Sequence, residues 1–435
     1  MEVSMHTQII TSSWQTIINY FFPVFTTPTA NIFFSLITGW VLCTCRRTVC
    51  GMLLFVDPMC KKAHDAYHRF FPDASWDVGS LWKMLTLLLV KIFYQTGTIP
   101  TDLDDTVFRR CGRKVNGAAW WRDPVRSCDV MKVFGRGLNL VVLTLRIYPP
   151  WGGEPLALPI NMRLHRKGGP TPTQLAEDML SELAGWLPQR RFICHCDGFY
   201  TALTDCHMER MVLISRMRRD AWIYRLPPVK EKPHPGRRRK RGDRLPAPCQ
   251  LVGQIKQWQQ IKTIERGVVK KRMVYSLKVI WYHVSKRPVL LVISRDPTRH
   301  ERDDFFFTTD LALAAAEVIS GFAGRWSIED TFKNTKQLIG GQQPQTWKGK
   351  GPERAAAMSL WLYSTVWLWF LQQKRLWNRL PILPWYRAKT HPSFADALAT
   401  LRRALWQERI KSMFENSIVH NKITDFLIAA LSAAA

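Results

Sequence analysis

Acidic side chains are scarce in this chain: 34 Asp and Glu face 62 Lys and Arg across 435 residues, and the net charge of +28 is spread along the whole length. A surface of that sign seeks polyanions. Nucleic acid is the commonest partner, because Lys and Arg that neutralise phosphates release condensed counterions. A long apolar run is also missing. No Lys, Arg, Asp or Glu occurs between residues 3 and 45, yet the stretch 30–45 is interrupted by Asn31, Ser35, Thr38 and Thr44, and a spanning helix needs about 20 predominantly apolar residues. The stretch 355–372 likewise reads as a buried helix, so no membrane association is expected. Paired Cys-x2-Cys spacing is absent too. Neither the group Cys43, Cys45, Cys50 and Cys60 nor the group Cys194, His195, Cys196, Cys206 and His207 has zinc-ribbon spacing. Ordinary thiols in a reducing compartment are therefore expected. Neither a cleavable leader nor an internal repeat is evident.

What is present is a sequence whose hydrophobic period changes along its length. Up to about Gln95 the pattern is helical, with Leu81, Met84, Leu85 and Leu88 on one face. Residues 1–97 thus read as an N-terminal helical domain, the natural candidate for DNA-end binding, although no helix-turn-helix signature is clear. After Pro100, the β-forming run 138–145 turns back through Trp151-Gly152-Gly153-Glu154-Pro155 into Leu156-Ala157-Leu158, which predicts a hairpin. Thr171 and Thr173 are candidate caps for a helix carrying Leu175, Met179, Leu183 and Leu187, stopped by Pro188. A short strand, Phe192 to Cys196, then leads into Asp197-Gly198, and a further helix and strand follow. Three strands followed by alternating helix and strand predict an α/β layer with a mixed sheet over residues 98–221. Residues 222–304 read as a β-rich basic insertion, in which 230–244 holds eight basic and two acidic residues in an exposed loop. Residues 305–351 return to helix, and 352–435 form a C-terminal helical segment.

The sharpest local signal is the stretch 322–336. With Arg325 as origin on a helix of about 100° per residue, Glu329 falls at about 40°, Lys336 at about 20° and Phe322 at about 60°. Asp330 falls at about 140°, so Glu329 is the acid that shares a stripe with Arg325 and Lys336. An Arg325–Glu329 ion pair on a solvated face is the bland alternative, worth a few tenths of a kcal/mol. Two further acidic points stand near it in the expected layer: Asp104-Asp105-Thr106, closing the first strand, and Asp197, ending the fourth. Converging carboxylates repel one another, and a divalent cation is the usual reason to gather three in one cleft.

These residues resemble the DDE transposases of bacterial insertion sequences, cut-and-paste enzymes with a ribonuclease-H-like core. The stretch "LDDTVFRRCGRKV" at 103–115 is similar to the first-aspartate motif of that family. "CDGFY" at 196–200, followed by "RMRRDAWIY", is similar to the second. The third is "TTDLALAAAEVISGFAGRWSIEDTFKNTKQLIGGQQPQ" at 308–345. It resembles the Tyr-Arg-Glu-Lys signature, carried here by Phe322, Arg325, Glu329 and Lys336, with Phe322 standing where the family has Tyr.

The resemblance implies a ribonuclease-H-like mixed-sheet core with a β-rich insertion and flanking helical domains. It makes Asp105, in preference to Asp104, the first metal ligand, completed by Asp197 and Glu329 and holding two Mg2+ or Mn2+ ions. Arg325 and Lys336 are implied contacts to the DNA backbone, with Arg237, Arg238, Arg239 and Arg241 as a phosphate clamp. Trp258, Trp281 and Tyr282 are candidates for holding a flipped base, with core packing as the plainer role for each. The implied partners are double-stranded DNA with terminal inverted repeats, target DNA and a second copy of the chain in the synaptic complex. The implied setting is the bacterial cytoplasm, at the nucleoid. A co-opted DNA-binding protein that keeps the fold without strand transfer is the alternative.

Overall fold

The computed structural model describes residues 13–57, 59, 62–123, 126–206, 208, 210–228, 239–377 and 389–413. Among them, five α-helices precede the first strand: α1 (Trp14–Tyr20), α2 (Thr27–Leu42), α3 (Val49–Val56), α4 (His64–Arg69) and α5 (Val78–Phe93). Local chemistry sets their starts. Ser13, Thr48 and Asp77 each accept a backbone N–H of the first turn, and Pro28 sits at the front of α2, where its missing N–H costs nothing.

Ten strands then form one sheet. They are β1 (Ile99–Arg109), β2 (Ala119–Arg122), β3 (Phe134–Ile147), β4 (Leu156–His165), β5 (Phe192–Cys196), β6 (Met211–Arg216), β7 (Gln259–Glu265), β8 (Val268–Ile280), β9 (Pro288–Arg295) and β10 (Asp304–Thr308). Their order is β2-β3-β1-β5-β6-β10-β9-β8-β7, with β4 also paired to β3. β3 pairs antiparallel with both β4 and β1, as the hairpin reading expects, whereas β1, β5 and β6 are mutually parallel. The crossover from β4 to β5 is made by α6 (Pro172–Trp186). Thr171 caps it in a reciprocal capping box with Gln174. The strands of the basic insertion continue the same sheet: β9 pairs β10, and β10 pairs β6.

Two expectations need correction. β1 does not end at Thr106 but runs to Arg109, because Thr106, Val107 and Phe108 are β-formers that stay paired to Leu140, Asn139 and Leu138. Asp104-Asp105 is therefore mid-strand. Nor is residue 305 the start of helical structure, since the run Phe305-Phe306-Phe307 is a buried strand between β6 and β9.

The remaining helices are α7 (Pro248–Leu251), α8 (Ala315–Gly324), α9 (Ser327–Gln337), α10 (Gly351–Gln372) and α11 (Phe394–Met413). α10 is buried along nearly its whole length and packs against β4, α1, α5, α9 and α11. Trp361 meets Phe21 edge-on with ring centroids 4.9 Å apart. The N-terminal and C-terminal helices thus share one apolar core with the sheet. Buried Arg354 ties the two by donating to the carbonyls of Phe71, Ala74 and Trp76. No described helix is long and apolar enough to cross a membrane.

Candidate active site

Strand alternation places the acids of β1 on two faces. Asp102 and Asp104 share one face. Asp102 is fully buried and receives the Nε of Arg146 at 3.2 Å and its Nη2. Asp104 receives Nη1 of Arg325 at 2.5 Å, and the next residue on that face, Thr106, accepts Lys336 Nζ at 2.6 Å. These contacts come from the α8–α9 region. Asp105 points the other way, toward the 3-10 turn 198–204, where Tyr200 donates its hydroxyl to Asp105 at 3.3 Å. Asp197 follows β5 directly, one step past the paired Leu103 and Cys196. It caps that turn by accepting Phe199 N–H at 2.9 Å.

Phe322 and Glu329 do not lie on one continuous helix. α8 ends at Gly324 and α9 begins at Ser327, with Arg325 and Trp326 forming the join. The reckoning from Arg325 survives for Glu329, which lies 3.5 Å from Nη2 of Arg325. It also survives for Lys336, whose ammonium reaches β1. Phe322 packs on Phe306, and its ring lies under the guanidiniums of Arg216 and Arg325 at 5.4 and 5.5 Å. Arg325 thus links Asp104 of the sheet to Glu329 of the helix. Its Nε is buried without a hydrogen-bond partner.

Burial dominates the electrostatics. It pushes the Asp104 carboxyl up to about 7; Arg325 opposes the shift, while the charges of Asp197 and Asp105 add to it. Asp105 is raised by burial and by Asp197, and Glu329 by burial against the pull of Arg325 and Arg266. Burial and the nearby Arg109 hold the Lys336 ammonium below its usual range. Carboxylates raised by burial and mutual repulsion gain most from an added positive charge. Oxygen donors of this kind suit a hard divalent cation such as Mg2+ or Mn2+. Among the described residues, His, Cys, Asp and Glu side chains bring three ligand atoms within 4.8 Å of one another only at Cys50, His64 and His68. The carboxylates of the sheet and helix are neighbours with Arg325 between them, not a closed triad.

A cleft of about 800 Å³ opens beside them, lined in part by Asp197, Arg216, Glu265, Arg266, Arg325 and Trp326. Arg266 belongs to the far end of the sheet, at the tip of the β7–β8 hairpin. Arg266 and Gly267 both have positive φ, the two-residue turn that matches strand twist. The turn lays the Arg266 guanidinium over the Trp326 ring at 4.1 Å. Sequence reasoning missed Arg216, Arg266 and Trp326. The Arg-Gly pair between two β-forming runs was the available signal for the turn, but nothing local shows where its tip lands.

Of the proposed basic clamp, Arg237 and Arg238 lie outside the described residues, and Arg239 is exposed. Arg241 is sandwiched between the Tyr224 and Tyr282 rings, 4.2 Å from each. Trp281 is a core residue packed on Phe307, and Arg295 covers Trp258 at 4.2 Å. Cys194 and Cys196 are buried thiols, and His195 between them sits 2.9 Å from the Thr101 carbonyl.

Fold and site together define a mixed α/β protein whose central sheet carries a cation-suited cluster of carboxylates beside an arginine-lined cleft. The chain belongs to the DDE superfamily endonucleases, whose family model matches residues 20–274. That span takes in Asp104, Asp105 and Asp197 and ends before Glu329. A solved cryo-EM structure, a piggyBac transposase synaptic complex with hairpin DNA, is similar over 92% of this chain and 76% of that one, with 8% identity and a TM-score of 0.39. No curated protein matches the chain.

Proposed function

We propose that the protein is a DDE transposase of the insertion-sequence type, cutting at transposon ends and joining them to target DNA. The core order β4-β3-β1-β5-β6, antiparallel then parallel with α6 as the crossover, supports a ribonuclease-H-like reading. The observation that carries the proposal is the pairing of Arg325 with both Asp104 and Glu329, together with the charge of Asp197 felt at Asp104. In this reading Asp104 takes the role of first carboxylate, because it shares the α9 face with Glu329, while Asp105 faces Tyr200. Asp104, Asp197 and Glu329 would hold the divalent cations, two by the chemistry of the reaction, and the bound ions would supply Lewis-acid activation of the attacking oxygen and charge for the departing one. Arg325 supplies compensating charge between the acids, and its unpartnered Nε suits a phosphate oxygen. Lys336 anchors α9 to β1 and keeps a cation beside the acids. Arg216 and Arg266 border the path for the DNA backbone. Handling two ends together calls for a second copy of the chain on DNA, and the bacterial cytoplasm is the expected setting.

The test is Mg2+-dependent cleavage of DNA bearing the inverted repeats that flank the coding region. Wild type is expected to cut. Asp104→Asn, Asp197→Ala and Glu329→Gln are expected to lose at least about a thousandfold in rate while still binding DNA, and Asp105→Asn to keep more activity than Asp104→Asn. If Asp105→Asn is dead and Asp104→Asn active, the assignment of the first carboxylate is reversed. Binding without cutting by the wild type would instead identify a co-opted DNA-binding protein.

A further inference from the structure

We propose that Cys50, His64 and His68 form a transition-metal site, with zinc the ion best suited to its donors, distinct from the carboxylate cluster of the sheet. Cys50 lies in the first turn of α3. His64 and His68 are one helical turn apart on α4, so both rings project from one face. The Cys50 sulfur is 3.2 Å from His64 Nε2 and 3.5 Å from His68 Nε2, and the two Nε2 atoms are 3.3 Å apart. A tetrahedral zinc with Zn–N near 2.05 Å and Zn–S near 2.3 Å requires ligand separations of about 3.3 Å between nitrogens and about 3.6 Å between nitrogen and sulfur. The three observed separations lie within about 0.4 Å of those edges.

A hydrogen-bonded cluster accounts for this arrangement poorly. Both imidazoles present the same ring nitrogen to the same point, and between two Nε2 atoms only one proton can be shared. All three residues are exposed, so water competes for each contact and no enclosing packing holds them together. One thiolate and two imidazoles form a borderline-soft set that favours Zn2+ or Co2+ over Mg2+ or Ca2+. Among the described residues, three side chains supply ligands, which fills three of the four tetrahedral positions. The site clips α3 to α4 where both pack on α2, and Arg409 of α11 donates to the Phe55 carbonyl near the end of α3. The clip therefore steadies the corner where α2 and α3 meet α11.

Cobalt titration of the full chain tests it. Wild type is expected to bind one Co2+ with a thiolate-to-cobalt charge-transfer band and the intense visible d–d bands of tetrahedral geometry, both displaced by Zn2+. Cys50→Ser is expected to lose the charge-transfer band, and His64→Ala with His68→Ala to lose the tetrahedral spectrum. Asp197→Ala should keep both, since carboxylate-bound cobalt gives no thiolate band. Zinc should also raise the melting temperature of wild type and leave Cys50→Ser unchanged. Cys50→Ser that still cleaves DNA with Mg2+ separates this site from the catalytic one. A wild-type spectrum without the thiolate band overturns the proposal. So does a band that survives Cys50→Ser but disappears in Cys45→Ser, which would place the thiolate at the Cys43–Cys45 pair.

Discussion

At the scale of single residues, Asp102 illustrates what the site demands of its surroundings. It lies two positions before Asp104 on the same face and is fully buried against Arg146, which is itself 1% exposed. The guanidinium holds the Asp102 carboxyl below its usual range although burial alone would raise it. Gly324 adjoins this pair because a Cβ there would stand 2.7 Å from Arg146 Nη1. The end of α8 can therefore reach the sheet, which seats Arg325 over Asp104. Removing one partner of such a pair strands a buried charge. Arg146→Met should cost about 3–5 kcal/mol in urea unfolding, and the double change Asp102→Leu with Arg146→Met should recover much of that loss.

At the scale of elements, the β7–β8 hairpin has the most to explain. Its tip brings a cation over Trp326 and beside Glu329 from strands that are distant in sequence. Gly267 has φ 75°, and a Cβ there would meet the Gly153 carbonyl carbon at 3.1 Å. Gly267→Ala is therefore expected to destabilise by about 1–2 kcal/mol and to lower cleavage by moving Arg266, with thermal melts and cleavage rates as the readouts. The hairpin also has a pH signature. Burial raises the Glu265 carboxyl, but Arg272, Thr263 and Lys270 more than offset it and hold it below 4.5. Its stabilising effect is thus complete above pH 4.5 and is lost as acid protonates the folded form. Between neutrality and that region, wild type and Glu265→Gln should show parallel stability profiles. Below it, the wild type should fall more steeply, as measured by urea unfolding across pH.

At the scale of the whole molecule, the proposed function makes the charge of +28 the source of affinity for DNA and the cleft the place where part of it would be used. DNA binding should weaken steeply as salt rises. Replacing Arg266 or Arg216 by Ala should lower the slope of log affinity against log salt by about one each, with similar losses on specific and random DNA. Chelating divalent cations should abolish cleavage and leave that binding in place. The helical layer is also a whole-molecule property, since α10 is buried by the N-terminal helices, the sheet and α11 together.

Much of this was legible in the chain. The hairpin β3–β4, the capped α6, the short strand before Asp197 and the buried helix read at 355–372 follow from period, turn residues and caps, which act over a few neighbours. The local spacing of Arg325 and Glu329 also sufficed to pair them, even though the helix breaks between Gly324 and Ser327, while Lys336 reaches Thr106 of β1. Which of two adjacent aspartates faces the glutamate was not legible, because in a strand that depends on the face against which a remote helix packs. The meeting of Arg266 with Trp326, and of Cys50 with two histidines on the next helix, was equally hidden. Each joins groups whose sequence separation encodes no distance until packing closes the loop between them. The sequence by itself determined most of the elements, the charge and the acidic motifs, since these arise from nearest neighbours. Only the tertiary structure decided which face, which partner and which ligand geometry, since these depend on how the sheet and helices pack against one another.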